Sequence, residues 1–197
     1  MARATGGTGR LNRHLPGTQR TCRSGPVHPA GAAAELARRI AASVPDPELP
    51  MLTLADLGIL RDVTVEGAQV IVSLTPTYSG CPALAEMRSD VAVRLAAAGL
   101  GDVEIRTVLS PPWTTERISA AGRSKLAAAG IAPPAASRPA AAGPIPLTLT
   151  TAPARGVACP ACGSADTERT AAFSATACKD LFRCRACAEP FEHMKEA

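Results

Sequence analysis

Aromatic residues are scarce in this 197-residue chain: three Phe, one Trp and one Tyr make up 3% of it. So few rings cannot form the stacking platforms that hold unpaired bases. No apolar run approaches the ~20 residues that cross a bilayer, and no secretory leader pattern opens the sequence. There is no Gly-rich dinucleotide fingerprint to hold a flavin or NAD. There are no paired Glu-x-x-His motifs to build a carboxylate-bridged di-iron centre on bundle helices. Acidic residues are missing from positions 1–30, which carry five arginines: Arg3, Arg10, Arg13, Arg20 and Arg23. That tail has no apolar periodicity, reads as disordered and is expected to be dispensable. Outside it, 16 basic residues face 17 acidic ones, so the net charge of +4 comes from the tail. A near-neutral body offers no basic face for nucleic acid.

Proline and cysteine are what the chain has, with 18 and 7 copies. With no leader pattern, the cysteines belong to a reducing cytoplasm. There, paired cysteines point to a metal before a disulfide.

Two periodicities alternate through residues 31–134. Ala32–Val44 reads as a helix with Ala33, Leu36, Ala37, Ile40 and Val44 on one stripe. Pro45-Asp46-Pro47-Glu48-Leu49-Pro50 ends it in a rigid turn. Val63 and Val65, then Val70, Val72 and Leu74, mark two strands joined by a Glu66-Gly67 turn. Leu84, Met87, Val91, Leu95 and Ala98 stripe a second helix, which Gly99-Leu100 ends as a Schellman stop. Val103, Ile105, Thr107 and Leu109 give a third strand. Thr114 caps a last helix carrying Ile118, Ala121, Leu126 and Ala129, which Gly130-Ile131 terminates. The order α-β-β-α-β-α predicts an α+β fold, a small domain with helices on one face of a three-stranded sheet. Residues 135–156 read as a Pro/Ala-rich linker.

Residues 157–197 hold five of the seven cysteines and all three phenylalanines. Cys159-Pro160-Ala161-Cys162 and Cys184-Arg185-Ala186-Cys187 are two C-x-x-C knuckles, 21 residues apart. Two knuckles complete a closed tetrahedral S₄ site, the pattern of a zinc-ribbon β module. So thin a core needs such a staple to fold, so the zinc is structural. Iron takes the same ligands, and the sequence does not separate the two. Four thiolates leave a local charge of −2 around the ion, which Lys179, Arg183 and Arg185 can offset. Cys178 either replaces a knuckle cysteine or is a free thiol beside the site. His193 is an alternative ligand or an exposed side chain.

Cys81 lies where a strand pattern gives way to a helical one, in Thr75-Pro76-Thr77-Tyr78-Ser79-Gly80-Cys81-Pro82. With Pro82 as first helical residue, Cys81 would be the N-cap, where free N–H groups and the helix dipole favour a thiolate. Such a thiolate attacks electrophiles or holds a soft metal such as iron; a small buried apolar cysteine is the competing reading.

Val44–Pro134 resembles the SufT-like iron–sulfur-assembly domains. Asp46-Pro47-Glu48, Asp56-Leu57-Gly58, Thr75-Pro76-Thr77 and Gly80-Cys81-Pro82 stand where that family's motifs do. Pro111-Pro112-Trp113-Thr114-Thr115, Gly130-Ile131-Ala132-Pro133-Pro134, Cys159-Pro160-Ala161-Cys162-Gly163-Ser164 and Ser174–Lys179 extend the likeness. With Glu189-Pro190-Phe191 they resemble the PaaD or PaaJ family, an accessory component of phenylacetyl-CoA epoxidase systems. The resemblance implies an accessory or maturation subunit that is not itself an enzyme. Its implied partners are the di-iron phenylacetyl-CoA oxygenase and that oxygenase's flavin/[2Fe–2S] reductase. It also implies that Cys81 transiently ligates iron or an iron–sulfur cluster. One cysteine cannot hold a cluster, which takes four ligands. Asp46 and Glu48 can approach it as hard ligands or bases, or serve as turn caps. Thr75, Thr77 and Ser79 can hydrogen-bond the sulfur or cap the turn. Asp56 is expected in a local turn bond, and Trp113 in the core or an interface.

Overall fold

The computed structural model describes residues 30–78, 80–135 and 157–195. The expectations for the tail, for most of the linker and for Ser79 lie outside them.

Helix α1 (Ala30–Ala42) buries Ala33, Ala37 and Ala41, four residues apart, so their small side chains let it lie close on the sheet. Strand β1 (Leu60–Glu66) pairs antiparallel with β2 (Gln69–Leu74) through a hairpin in which Gly67 takes φ 63°. Helix α2 (Leu84–Ala97) crosses over to β3 (Asp102–Thr107), which lies parallel to β2. The strand order is β1-β2-β3, and the central strand buries Val70, Ile71 and Val72 in succession. Helix α2 packs through Met87, Val91 and Leu95. It ends in the expected Schellman motif: Leu100 N–H donates to Leu95 O and Gly99 N–H to Ala96 O, with Gly99 at φ 83°.

The long connection from α1 to β1 is irregular yet apolar. Leu49, Leu52, Leu54, Leu57 and Ile59 are all buried in the main core. That packing fixes the turn holding Asp46 and Glu48.

The region after Pro112 corrects the helix expected from Thr114. Thr114 caps only a 3₁₀ turn, Thr115–Arg117. The α-helix, α3 (Ala120–Ala128), starts later, with Ser119 Oγ accepting from Gly122 N–H at 2.9 Å. Asp56 clamps this region to the earlier loop. Its Oδ2 accepts from Thr53 N–H and Oγ1 at 3.0 Å and from Lys125 Nζ at 2.6 Å. The local turn bond expected of Asp56 is therefore present, and a long-range one is added. Gly122 permits the approach, since a Cβ there would lie 2.7 Å from Asp56 O.

Strand β4 (Ile131–Ala132) joins the two parts of the chain. The ribbon strands are β5 (Thr167–Ala171), β6 (Lys179–Cys184) and β7 (Pro190–Met194), and the sheet order is β4-β7-β6-β5. β4 runs parallel to β7, with Ile131 opposite Glu192 and Ala132 opposite His193. Side chains alternate across a strand. Accordingly Ile131 packs in the main core with Met194 of β7, while Ala132 packs in the ribbon core with Phe182 and Phe191. The ribbon is thus docked on the first domain, a contact that a linker-and-module pattern did not predict.

Candidate functional site

Two groups of functional side chains lie at opposite ends of β6. At its C-terminal end the knuckles converge. The sulfurs of Cys159, Cys162, Cys184 and Cys187 all lie within 4.8 Å of one another. Cys159 Sγ is 3.8 Å from Cys187 Sγ, and Cys162 Sγ is 3.6 Å from Cys184 Sγ. A tetrahedral ion with ~2.3 Å bonds sets its sulfurs ~3.8 Å apart, whereas a disulfide bond measures ~2.05 Å. The spacing therefore fits a four-coordinate metal and not two disulfides. Backbone groups shape the cage. Gly163 N–H donates to Cys159 O at 2.8 Å, with Gly163 at φ 75° closing the first knuckle. N–H donors from Cys187 and Ala186, opposed by burial, bring the Cys184 thiol down to about 7. Against backbone N–H donors, contact with the neighbouring thiols raises Cys187, to about 12, and Cys162 as well, so the cage sheds its remaining protons only when a cation takes their place.

Three ribbon expectations change. Lys179 lies five residues from Cys184 along β6, ~17 Å at strand spacing, so it does not neutralise the thiolates. Its Nζ instead binds Glu192 Oε2 at 2.7 Å. Arg185 reaches away to Glu168 Oε2 at 2.7 Å. His193 is neither ligand nor exposed. It is buried, its Nδ1 is 2.9 Å from Asp180 Oδ1, and its ring stands edge-on to Phe182. Cys178 precedes β6, at the end remote from the knuckles, so it is not beside the four-cysteine site.

At the opposite end lies Cys81. Helix α2 begins at Leu84 with Ala83 as its N-cap residue, so Cys81 stands before the cap and Pro82 lies in a turn. The sulfur is half-buried at the start of α2; Leu84 N–H donates to the Cys81 carbonyl at 3.3 Å, and the Ala83 and Leu84 N–H groups are near enough to favour a thiolate. Its thiol is nevertheless raised above the ordinary value. Burial is the largest cause, and the Glu48 and Asp46 carboxylates add to it against the two N–H donors. The N-terminal position thus does not by itself give a free thiolate. A bound cation would reverse the balance.

Asp46 fulfils the turn-cap reading, its Oδ1 accepting from Glu48 N–H at 2.8 Å and Leu49 N–H at 2.9 Å. It is also buried, and burial raises its carboxyl above the usual range. Glu48 is half-buried and raised by burial and by Asp46. Among the described residues, neither Thr75 nor Thr77 hydrogen-bonds the Cys81 sulfur. Thr75 Oγ1 is buried without a partner. Thr77 and Tyr78 border a cavity of about 160 Å³, together with Trp113. Trp113 is buried and donates from Nε1 to Leu57 O at 2.8 Å, which fits the core reading. The far wall of the cavity is Ala177, Cys178, Met194 and Lys195. Sequence reasoning missed that wall, because only the β4–β7 pairing brings it there.

Replacing Glu48 by Gln removes one of the charges that raise Cys81. Alkylation of Cys81 by iodoacetamide, followed by peptide mapping on protein with a zinc-filled ribbon, is expected to be slow at neutral pH. It should accelerate only above the ordinary thiol range. The variant's rate–pH curve should shift to lower pH and run a few-fold faster at pH 8. The folded state holds this proton more tightly than the unfolded chain. Stability from the neutral thiol is therefore full below the ordinary thiol value and falls as pH climbs through the raised one. A curve unmoved by Glu48→Gln would show that Glu48 does not face the sulfur.

The sequence matches two family models. Residues 39–107 match "Iron-sulfur cluster assembly protein" and residues 144–195 match "PaaD zinc beta ribbon domain". A curated protein of Escherichia coli (strain K12), named as the D component of a "Putative 1,2-phenylacetyl-CoA epoxidase", is 38% identical over 152 residues, 77% of this chain and 86% of that one. Among solved structures, a domain of unknown function (DUF59) from Bacillus anthracis is 29% identical with a TM-score of 0.46, covering 49% of this chain and 93% of its own. A conserved hypothetical protein from Thermotoga maritima is 31% identical with a TM-score of 0.41, covering 47% and 91%. With an assembly-type domain, a four-cysteine ribbon and 38% identity across most of both sequences, the chain belongs to the PaaD family of phenylacetyl-CoA epoxidase components.

Proposed function

We propose that the protein is a non-catalytic accessory subunit of a phenylacetyl-CoA epoxidase system, and that it helps insert iron or an iron–sulfur cluster into a client. The clients are the di-iron oxygenase or its flavin/[2Fe–2S] reductase. The observation that carries this reading is the setting of Cys81, a free, half-buried thiol just before α2 whose charge the Asp46 and Glu48 carboxylates are near enough to influence. Thiolate and carboxylate together suit Fe(II), a metal of intermediate softness. The site lies in the stretch between Val44 and the end of α2, inside the segment matching the iron–sulfur family. In this reading the ribbon metal is structural and most simply zinc, because four sulfurs leave no open position.

An assembly factor acts once per client, whereas a working subunit acts in every cycle. Oxygenase and reductase produced together with this protein and then freed of it should stay active. The same clients produced without it should lack iron or acid-labile sulfide. Activity that vanishes on removal and returns on re-addition, with client metal constant throughout, would instead identify a permanent docking subunit.

A further inference from the structure

Five aromatic residues occur in the chain, and they sort into two places. Phe182 and Phe191 stack in the ribbon core. The other three gather at the cavity between the ribbon and the Tyr78 turn. Trp113 and Tyr78 line it, with Met194 and Lys195 in the wall. Phe173 lies beside it, its ring centre 4.0 Å from Lys195 Nζ. Tyr78 is 36% exposed and Phe173 67%, although both are large and apolar. Leu109, four residues before Trp113, is 57% exposed, and Ser110, Pro111 and Pro112 between them are exposed as well. Scattered apolar side chains on a surface are ordinary, but a group of them around one cavity marks an interaction site. Charge at the cavity wall has one sign. Among the described residues, no acidic side chain lines the cavity and the Lys195 ammonium has no carboxylate partner; its Nζ donates to Ala177 O at 2.8 Å. The cavity also adjoins Cys81. The Tyr78 ring lies over Gly80, where a Cβ would stand 3.2 Å from Tyr78 Cε2, and the Tyr78 carbonyl accepts from Cys81 N–H at 3.2 Å.

We propose that this face is the docking site for a client protein, which seats one Phe- or Leu-sized side chain in the cavity and sets a neighbouring Asp or Glu on Lys195. The proposal rests on the accessory-subunit reading and supplies the surface that such a subunit needs. An apolar cavity of ~150 Å³ takes up benzene, so about 160 Å³ admits one such side chain. Trp113 and Met194, both buried, give the cavity fixed walls, while Tyr78, Phe173 and Leu109 are left to surround the anchor and exclude water. A small molecule confined to the cavity would leave Phe173 and Leu109 in water, whereas a protein surface covers them. Tyr, Trp, Phe and Met are the residues that interfaces gather. Lys195 gives the contact its sign: a carboxylate gains a partner there, and a lysine on the client is repelled. Both the first domain and the ribbon contribute walls, so the client reads the joined molecule and comes to rest within a few residues of Cys81.

Client binding is measured with the full chain, zinc in its ribbon, against purified oxygenase and against purified reductase. Phe173→Ala and Lys195→Glu should each raise Kd for the client at least tenfold. Val93→Ala, at an apolar residue on the exposed face of α2, should leave it unchanged. A photo-activated phenylalanine analogue at position 173 should cross-link to a client peptide that carries an apolar residue beside an Asp or Glu, which keeps the test valid if a variant folds poorly. Changing that client acid to Lys should restore binding to Lys195→Glu. Binding indifferent to Phe173→Ala and Lys195→Glu, or weakened as much by Val93→Ala, would overturn the docking site. So would variants that dissolve a homodimer and leave client binding intact, since the occupant would then be a second copy. A wild type that binds neither client overturns it too. In each of these cases the accessory reading is decided separately, by whether clients produced without the protein lack iron or acid-labile sulfide.

Discussion

Removing the ribbon metal is expected to dissolve residues 157–195 as an ordered unit while residues 30–130 keep their fold. The ribbon core is Ala132, Cys159, Phe182, Cys184 and Phe191, with Val157 at its edge. Two stacked phenylalanines and a few small groups cannot offset the entropy of ordering nearly forty residues. A structural metal supplies ~10–16 kcal/mol to such a module, as much as the whole stability of an ordinary domain. The first domain owns a separate core of aliphatic side chains from α1, α2, the sheet and the 44–59 connection. Hydrogen exchange before and after chelation should lose protection in β5, β6 and β7 and keep it in β1, β2 and β3. Cys184→Ser should reproduce the pattern without a chelator. A ribbon that stays protected with its metal gone would show that docking, not the ion, holds it.

The second large effect concerns Cys81. Cys81→Ser is expected to abolish function with little loss of stability. The side chain is half-buried, and serine is close to cysteine in size, so the packing around it changes little. The thermodynamic cost should stay within about 1–2 kcal/mol. Serine does not replace a thiolate toward iron at neutral pH. A strain carrying the variant should fail to grow on phenylacetate while making normal amounts of soluble protein. Normal growth would reduce Cys81 to a packing residue and favour a purely structural subunit.

Much of this architecture is legible in the sequence because its signals are local. The α2 stripe and its Gly99-Leu100 stop depend on neighbours within five residues, and both appear in the structure. The two knuckles carry their own geometry, since C-x-x-C fixes two sulfurs wherever the chain places them. What escaped depends on distant contacts. Thr114 looked like a helix cap, but the 3₁₀ turn that follows it bends the chain toward the Asp56 clamp before α3 begins. Cys81 at a helix start suggested a lowered thiol. Burial and two carboxylates brought in by the Asp46 turn raise it instead. Cys178 read as an adjunct of the knuckles because sequence distance hides the length of a strand. Six extended residues carry it to the other end of the ribbon.

The brevity of β4 bears on how the molecule is made. Synthesis delivers the Asp46 turn, Cys81 and β4 before any ribbon strand exists. The partner strand, β7, follows both knuckles in the sequence. Two residues of parallel pairing are too little to recruit a disordered segment. Docking is therefore expected to follow metal binding at the four cysteines, which gives β7 a sheet to belong to. A chain made without that metal would complete its first domain and leave Thr77, Tyr78 and Trp113 without the facing residues Ala177, Cys178, Met194 and Lys195.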